Sequence, residues 1–348
     1  MVCFKDGVAS YNDGSKKILP YGKGKISANE FLNDKELVRV RLPIDVKVIE
    51  ENAFGSCSSL EEIEMSEGLE EIDDFAFYAC DSLETVKLPE GLRKIGTHAF
   101  CACKKLREIV IPNSVESIGA WAFCECEALE KAELPTGIKV IDNATFEYCT
   151  ALKEIYVPEN VESIEFYAFM GCSALSDILI GKSVKYISDG AFSHCKAIER
   201  ISVDICNKVY YSMSDCIIES ESGTLVLGCK NSDMKCILGI TCIGAKAFCG
   251  CRGLTSIEIP DTVTRIGGGA FCGCSSLAEV NIPQGVRVIE DGAFYDCSSL
   301  SSLVIPDTVD SIGIMAFDGC DVLTVYYGGT WEDWYDICRE PFKRVEYT

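Results

Sequence analysis

The chain has 348 residues, 48% of them hydrophobic and 25% charged, with a formal net charge of −22. That balance supports a large buried core and excludes wholesale disorder. The acidity is spread along the chain without a basic cluster, which excludes a nucleic-acid backbone or an anionic membrane surface as partner. No window approaches the 18 apolar residues of a membrane span.

At the N-terminus, residues 1–25 read as a cap. The stretch VASYNDGSKKILPYG places two apolar runs around N-D-G-S, a hairpin that would cover the open face of the first coil. The opening MVCFKDGVAS lacks the apolar core of a secretory signal. A full-length chain of this kind is expected in the cytoplasm.

From residue 26 a period takes over. Phe31, Phe54, Phe77, Phe100, Phe123, Phe146, Phe169 and Phe192 are spaced by 23 residues, and after a gap of 56 the spacing resumes at Phe248, Phe271, Phe294 and Phe317. The repeated unit is V-x-x-I-G-x-x-A-F-x-x-C-x-x-L-x-x-I-x-I-P. Its end, as in REIVIP, alternates apolar residues inward and is closed by proline, the pattern of a short strand. The S-V-E-S-I-G piece predicts a second short extended segment. A-F-x-x-C-x-x-L suits a turn of helix with Phe, Cys and Leu on one side. One such unit has only a stripe to bury, so stability requires stacking. The array divides into eight coils (26–203), a hairpin insertion (204–239) in which CIIESESGTLVLGC turns at E-S-G-T, four coils (240–324), and a closing cap (325–348) with Trp331 and Trp334 over the last coil.

The units IGTHAFCACKKLREIVIP, IGAWAFCECEALEKAELP and IGGGAFCGCSSLAEVNIP resemble the leucine-rich repeat in its BspA-like form, and the resemblance covers about residues 26–325. It implies an α/β-type solenoid dominated by short β-strands, right-handed, of about twelve 23-residue coils with a β-hairpin N-cap and a mid-array hairpin insertion. It also implies a bacterial or protist surface protein used in adhesion, so a cell-surface or secreted location stands as the alternative to the cytoplasm.

Eleven of the 22 cysteines lie three residues after a repeat Phe, as at Cys57, Cys103 and Cys274. Obeying the core period, they are expected to be buried, reduced and slow to react. Four others lie one residue after Phe: Cys101, Cys124, Cys249 and Cys272. Elsewhere that column holds residues as polar as Glu147 and Asp318, so these thiols are expected at a solvent-facing rim. Falling in two pairs on consecutive coils, they could be free thiols, disulfides or, with C-x-C spacing, zinc ligands. The remaining seven, Cys3 and Cys338 among them, lie mostly in the caps and insertion without ligand spacing.

Catalytic patterns are missing. The two histidines, His98 and His194, flank the Phe column in separate coils. GKGKIS at 22–27 lacks the Lys-Ser/Thr end of a phosphate loop, GGGAFCG at 267–273 is repeat consensus, and N-A-T at 143–145 is a glycosylation sequon only in an exported chain. A non-enzymatic chain without a cofactor is expected.

Positions eight and ten after each Phe should point outward from the strands. The second of these columns runs Arg41, Glu64, Lys87, Val110, Glu133, Tyr156, Leu179 and onward to Val304 and Tyr327. Tyr156 and Leu179 fall on adjacent coils flanked by Glu133, Glu154 and Asp177. An aromatic–aliphatic pair with an acidic rim, continued by Val110, is the candidate partner-binding face. The function expected is a monomeric, protein-binding, adhesion-type scaffold with no nucleic-acid partner and no membrane insertion. The alternative is a metal- or redox-responsive structural protein using the paired C-x-C thiols.

Overall fold

A computed structural model describes residues 5–338 and 344–347, so Cys3 and residues 339–343 of the predicted C-terminal cap lie outside the described residues. The chain forms a β-solenoid of about 14 turns, slightly more than the twelve expected from the Phe count. It divides into two compact units, Met1–Leu175 and Ser176–Thr348.

In the first unit, the strand after each repeat Leu stacks in parallel on its neighbour: Leu37–Arg41 pairs with Glu62–Glu64, then come Thr85–Val86, Glu108–Val110, Lys131–Glu133 and Glu154–Tyr156. A second ladder is built from the two-residue strands that end in the repeat Ile, such as Lys94–Ile95 on Ser117–Ile118. The N-terminal hairpin forms as expected. Gly7–Tyr11 pairs antiparallel with Lys16–Leu19 on one side and with Leu37–Arg41 on the other, which covers an otherwise open sheet edge.

The second unit repeats the scheme with strands such as Ser256–Glu258, Glu279–Asn281 and Ser302–Ile305. The expected insertion hairpin is present as Cys216–Glu219 against Thr224–Leu227, and it gains a third antiparallel strand, Tyr210–Met213. Thr224–Leu227 then runs parallel to Cys242–Ile243, so the insertion re-enters the ladder. Its start is tied down by Asn207, whose Nδ2 donates to Gly181 O (2.8 Å) and Val184 O (3.0 Å).

The Phe column fills the interior. In the first unit successive rings are stacked with centroids 5.1–5.6 Å apart and planes within 8° of parallel. The Cys column packs beside it, and in the first unit each of its thiols has a specific partner. Cys103 Sγ donates to Phe77 O (3.3 Å), Cys126 to Phe100 O (3.2 Å) and Cys149 to Phe123 O (3.1 Å), always the Phe 26 residues earlier. Cysteine is therefore a small hydrophobe that also satisfies a buried carbonyl. Burial pushes these thiols up, to about 12 at Cys57 and well above the ordinary value at Cys80, Cys103 and Cys126.

The segment A-F-x-x-C-x-x-L is not helical, which corrects the sequence expectation. Among the described residues the only α-helix is Trp331–Ile337. Phe77 N donates to Ala99 O and Phe100 N to Ala122 O, both at 2.8 Å, so the corner is knitted to the next coil and these groups are unavailable to a helix. The residues two before and two after every repeat Phe take left-handed backbone, with φ between 51° and 77° in all twelve copies. Many of them are bulky, Trp121 and Tyr148 included. Left-handed backbone costs a non-glycine residue about 1 kcal/mol. Exposed Glu125, at φ 57°, is a site where that cost is removable. Glu125→Gly is expected to raise unfolding stability by about 0.5–1 kcal/mol, and Glu125→Val to lower it by about 1 kcal/mol. Denaturant midpoints of both variants measure this, and the opposite order would contradict it.

Two further expectations are corrected. Tyr327 does not face outward, because the final repeat is one residue shorter after its Leu. Thr324 aligns with Ser302 and Tyr327 with Ile305, leaving Tyr327 only 2% exposed. In the C-terminal cap, Trp334 is buried and meets the Tyr327 ring edge-on at 5.3 Å, but Trp331 is 62% exposed.

Candidate functional site

The outward column of strand residues in the first unit is as the alternation requires. Glu108–Val110, Lys131–Glu133 and Glu154–Tyr156 each bury the middle residue and expose the two flanking it. Val110 and Glu133 are direct register partners, and Lys131 aligns with Glu154, which puts Glu133 and Tyr156 in one row. Within that polar row Val110 is 54% and Tyr156 58% exposed. The rim is less acidic than its carboxylates imply: Lys131 Nζ donates to Glu133 Oε1 at 2.5 Å.

Alongside this row the face is hollowed. A depression of about 610 Å³ is lined by Arg41, Glu62, Glu64, Thr85 and Lys87. It adjoins a second of about 370 Å³ that shares Thr85, Lys87 and Glu90 and reaches Glu108 and Val110. Their linings hold six carboxylates, with Asp6 and Glu67 at the far end, against two cations, Arg41 and Lys87. Most of these residues belong to the outward columns. With no aromatic among them they carry no separate signal in the sequence, and the hollow arises from strand ends and the N-terminal cap.

In the second unit Asp177 and Leu179 lie on the strand Asp177–Ile180, in register with Arg200 and Ser202 of Arg200–Val203. Leu179 is 43% exposed. Asp177 accepts from the Arg200 guanidinium and from Ser176 Oγ, and these bonds, Arg200's first, hold its carboxyl below the usual range.

The four extra cysteines are not on an open rim, as the tolerance of their column for charge had implied. Cys101 and Cys124 are each 6% exposed, clustered with Ala102 and packed by Ala79; Cys249 is 9% exposed, and only Cys272 is half-buried. They are unbridged thiols. Among the described residues no group of three or more His, Cys, Asp or Glu side chains is placed to hold a metal ion, and no helix is long and apolar enough to cross a membrane. His98 stacks between Phe75 and Trp121, at 4.7 and 5.1 Å, in a turn-side column of the first unit.

Two parallel ladders joined by turn-built corners, with a core of stacked Phe and an exposed strand face, define a leucine-rich-repeat solenoid. The chain belongs to the family described as the BspA type leucine rich repeat region, which matches residues 24–152, 70–199 and 227–340. It is similar to the solved structure of a leucine rich cell surface protein from Faecalibacterium prausnitzii, at 24% identity over 98% of both chains with a TM-score of 0.66. A leucine-rich repeat protein from Bacteroides ovatus is 28% identical over 98% of this chain and 90% of that one, with a TM-score of 0.60. Pneumococcal vaccine antigen PcpA is 19% identical over 90% of this chain and 69% of that one, with a TM-score of 0.55. A comparison with curated proteins found no match.

Proposed function

We propose that the chain is a non-enzymatic, adhesion-type scaffold that binds a protein partner through its outward strand face. The observation that carries this reading is the exposure of Val110 and Tyr156 in an otherwise polar row beside a hollowed acidic surface. Anchors of this kind supply most of the energy of an interface, and the surrounding charges set orientation and partner choice. The six carboxylates along the hollow favour a partner with basic residues opposite them. In the second unit Leu179 offers a separate apolar contact.

The test is affinity capture with the purified chain, run in parallel with a Val110→Ala/Tyr156→Ala variant and a Leu179→Ala variant. A partner held by the parent chain should bind the double variant at least about tenfold more weakly. The capture should also weaken with added salt. Undiminished binding by a folded double variant overturns the assignment of this face.

A further inference from the structure

The two C-x-C pairs occupy the same column of the repeat, yet only the second has a histidine and cations beside it. In the first unit Cys101 and Cys124 touch each other beside carboxylates: Cys124 Sγ is 3.7 Å from Glu147 Oε2, with Glu125 near. Their mutual hydrogen bond, burial and those carboxylates all push the Cys124 thiol up. In the second unit Cys249 and Cys272 are likewise within hydrogen-bonding reach of each other. There the neighbours are a histidine, several cations and one carboxylate, Asp296, which acts on Cys272. His194 Nε2 lies 3.5 Å from Cys249 Sγ, Lys246 acts on Cys272, and Lys196, Arg252 and Lys246 surround His194.

Glycine makes this arrangement fit. Gly250 and Gly273 stand two residues after their repeat Phe, at φ 76° and 69°. A Cβ on Gly250 would fall 2.4 Å from His194 Nδ1, and one on Gly273 would fall 3.6 Å from His194 Cε1. The imidazole therefore lies across bare backbone of the next coils, in a place that Ala79 and Ala102 fill in the first unit. Burial, followed by the three cations, lowers the affinity of His194 for a proton, so the imidazole stands neutral beside Cys249, whose thiol the hydrogen bond to Cys272 and burial push up.

We propose that Cys272 and Cys249, with His194, form a thiol–disulfide exchange site that takes a low-molecular-weight disulfide of the glutathione-disulfide class as its oxidant. Cys272 is the attacking sulfur: it is the less buried of the two, and the hydrogen bond from Cys249 lowers its thiol against burial and the Asp296 carboxylate, which act the other way. Its thiolate attacks one sulfur of the oxidant, the oxidant's S–S bond breaks, and the departing thiolate takes up a proton. With Cys272 in the mixed disulfide, the hydrogen bond that held the Cys249 proton is gone, and Cys249 gives that proton to His194 Nε2 as it attacks the Cys272 sulfur. The second small thiolate leaves and takes the proton from His194. Two electrons have passed from two protein thiols to the oxidant, leaving one Cys249–Cys272 bond and two small thiols. The bond would staple two coils of the second unit across their turn-side corner.

The proposal is independent of the strand-face reading and is tested on the full chain. The reduced protein is treated with oxidised glutathione without air, quenched at intervals, and mapped by mass spectrometry of non-reduced peptides. The Cys249–Cys272 link should form at least about tenfold faster than a Cys101–Cys124 link. Cys249→Ser should stop at a glutathione adduct on Cys272, and Cys272→Ser should form no link and little adduct. His194→Gln should let the Cys272 adduct accumulate, and Lys246→Gln should slow its formation. Equal rates at Cys101–Cys124 and Cys249–Cys272, or an unmodified Cys272 in the folded protein, overturn the proposal.

Discussion

Replacing Phe123 with alanine is expected to destabilise the first unit by about 3–5 kcal/mol, the usual cost of emptying a buried aromatic site. Phe123 is fully buried, and its ring is stacked on Phe100 and Phe146 with both centroids at 5.5 Å. Its carbonyl accepts the Cys149 thiol, so the cavity would open against a bonded neighbour in the next coil. Rigid corner backbone, knitted by bonds such as Phe123 N to Thr145 O at 2.9 Å, limits how far the site can collapse. In a quasi-one-dimensional array each coil is held only by its neighbours, so the damage should be local at first. Hydrogen exchange should rise in coils 100–169 before the rest of the unit, and the denaturant midpoint should fall. Val110→Ala, at an exposed site of the same sheet, should change stability by no more than about 0.5 kcal/mol. A Phe123→Ala cost near that of Val110→Ala would show that the Phe ladder is not the main source of cohesion.

Much of this fold is readable in the sequence because one constraint repeats. The 23-residue spacing of Phe, with Ile five before and Leu six after, fixes which residues face inward whatever the local backbone does. Strand alternation then places Glu108, Val110, Glu154 and Tyr156 outward, where they are found. The corner escapes such a reading for a physical reason. Phe, Cys and Leu at spacing of three are equally compatible with a helical stripe and with successive turns. The choice of turns rests on left-handed residues such as Trp121 and His98, which no intrinsic preference announces. The Cys column is legible as core but its bond to the Phe carbonyl is not, because that contact runs between coils 26 residues apart. For the extra thiols, a column that admits Glu147 looks exposed, but a small side chain at the same place sinks between coils. The role of His194 depends on the insertion, which leaves it against Cys249, 55 residues later in the chain.

The C-terminal cap gives the second large effect. Trp334→Ala is expected to destabilise the last coils of the second unit by about 3 kcal/mol, whereas Trp331→Ala should cost no more than about 0.5 kcal/mol. Both indoles lie on the seven-residue helix Trp331–Ile337, which starts at a capping box between Thr330 and Asp333. Three residues apart on so short a helix, they could share a face. The helix is rotated so that only Trp334 reaches the core, where it is 6% exposed and meets Tyr327 at 60° between planes. The chain can turn back over that ring because position 329 is glycine: a Cβ there would lie 2.7–2.9 Å from the Tyr327 ring and hydroxyl. At the far end of the helix the backbone of Cys338 bridges to Ile312, fastening the cap to the coil below. Without the Trp334 indole, Tyr327 loses its cover, and an apolar end face opens to water. Hydrogen exchange should then rise first across 311–327, with binding of a hydrophobic dye, while the first unit stays protected. If Trp331→Ala matched Trp334→Ala in either readout, the cap would be held by the helix as a whole and not by the one buried indole.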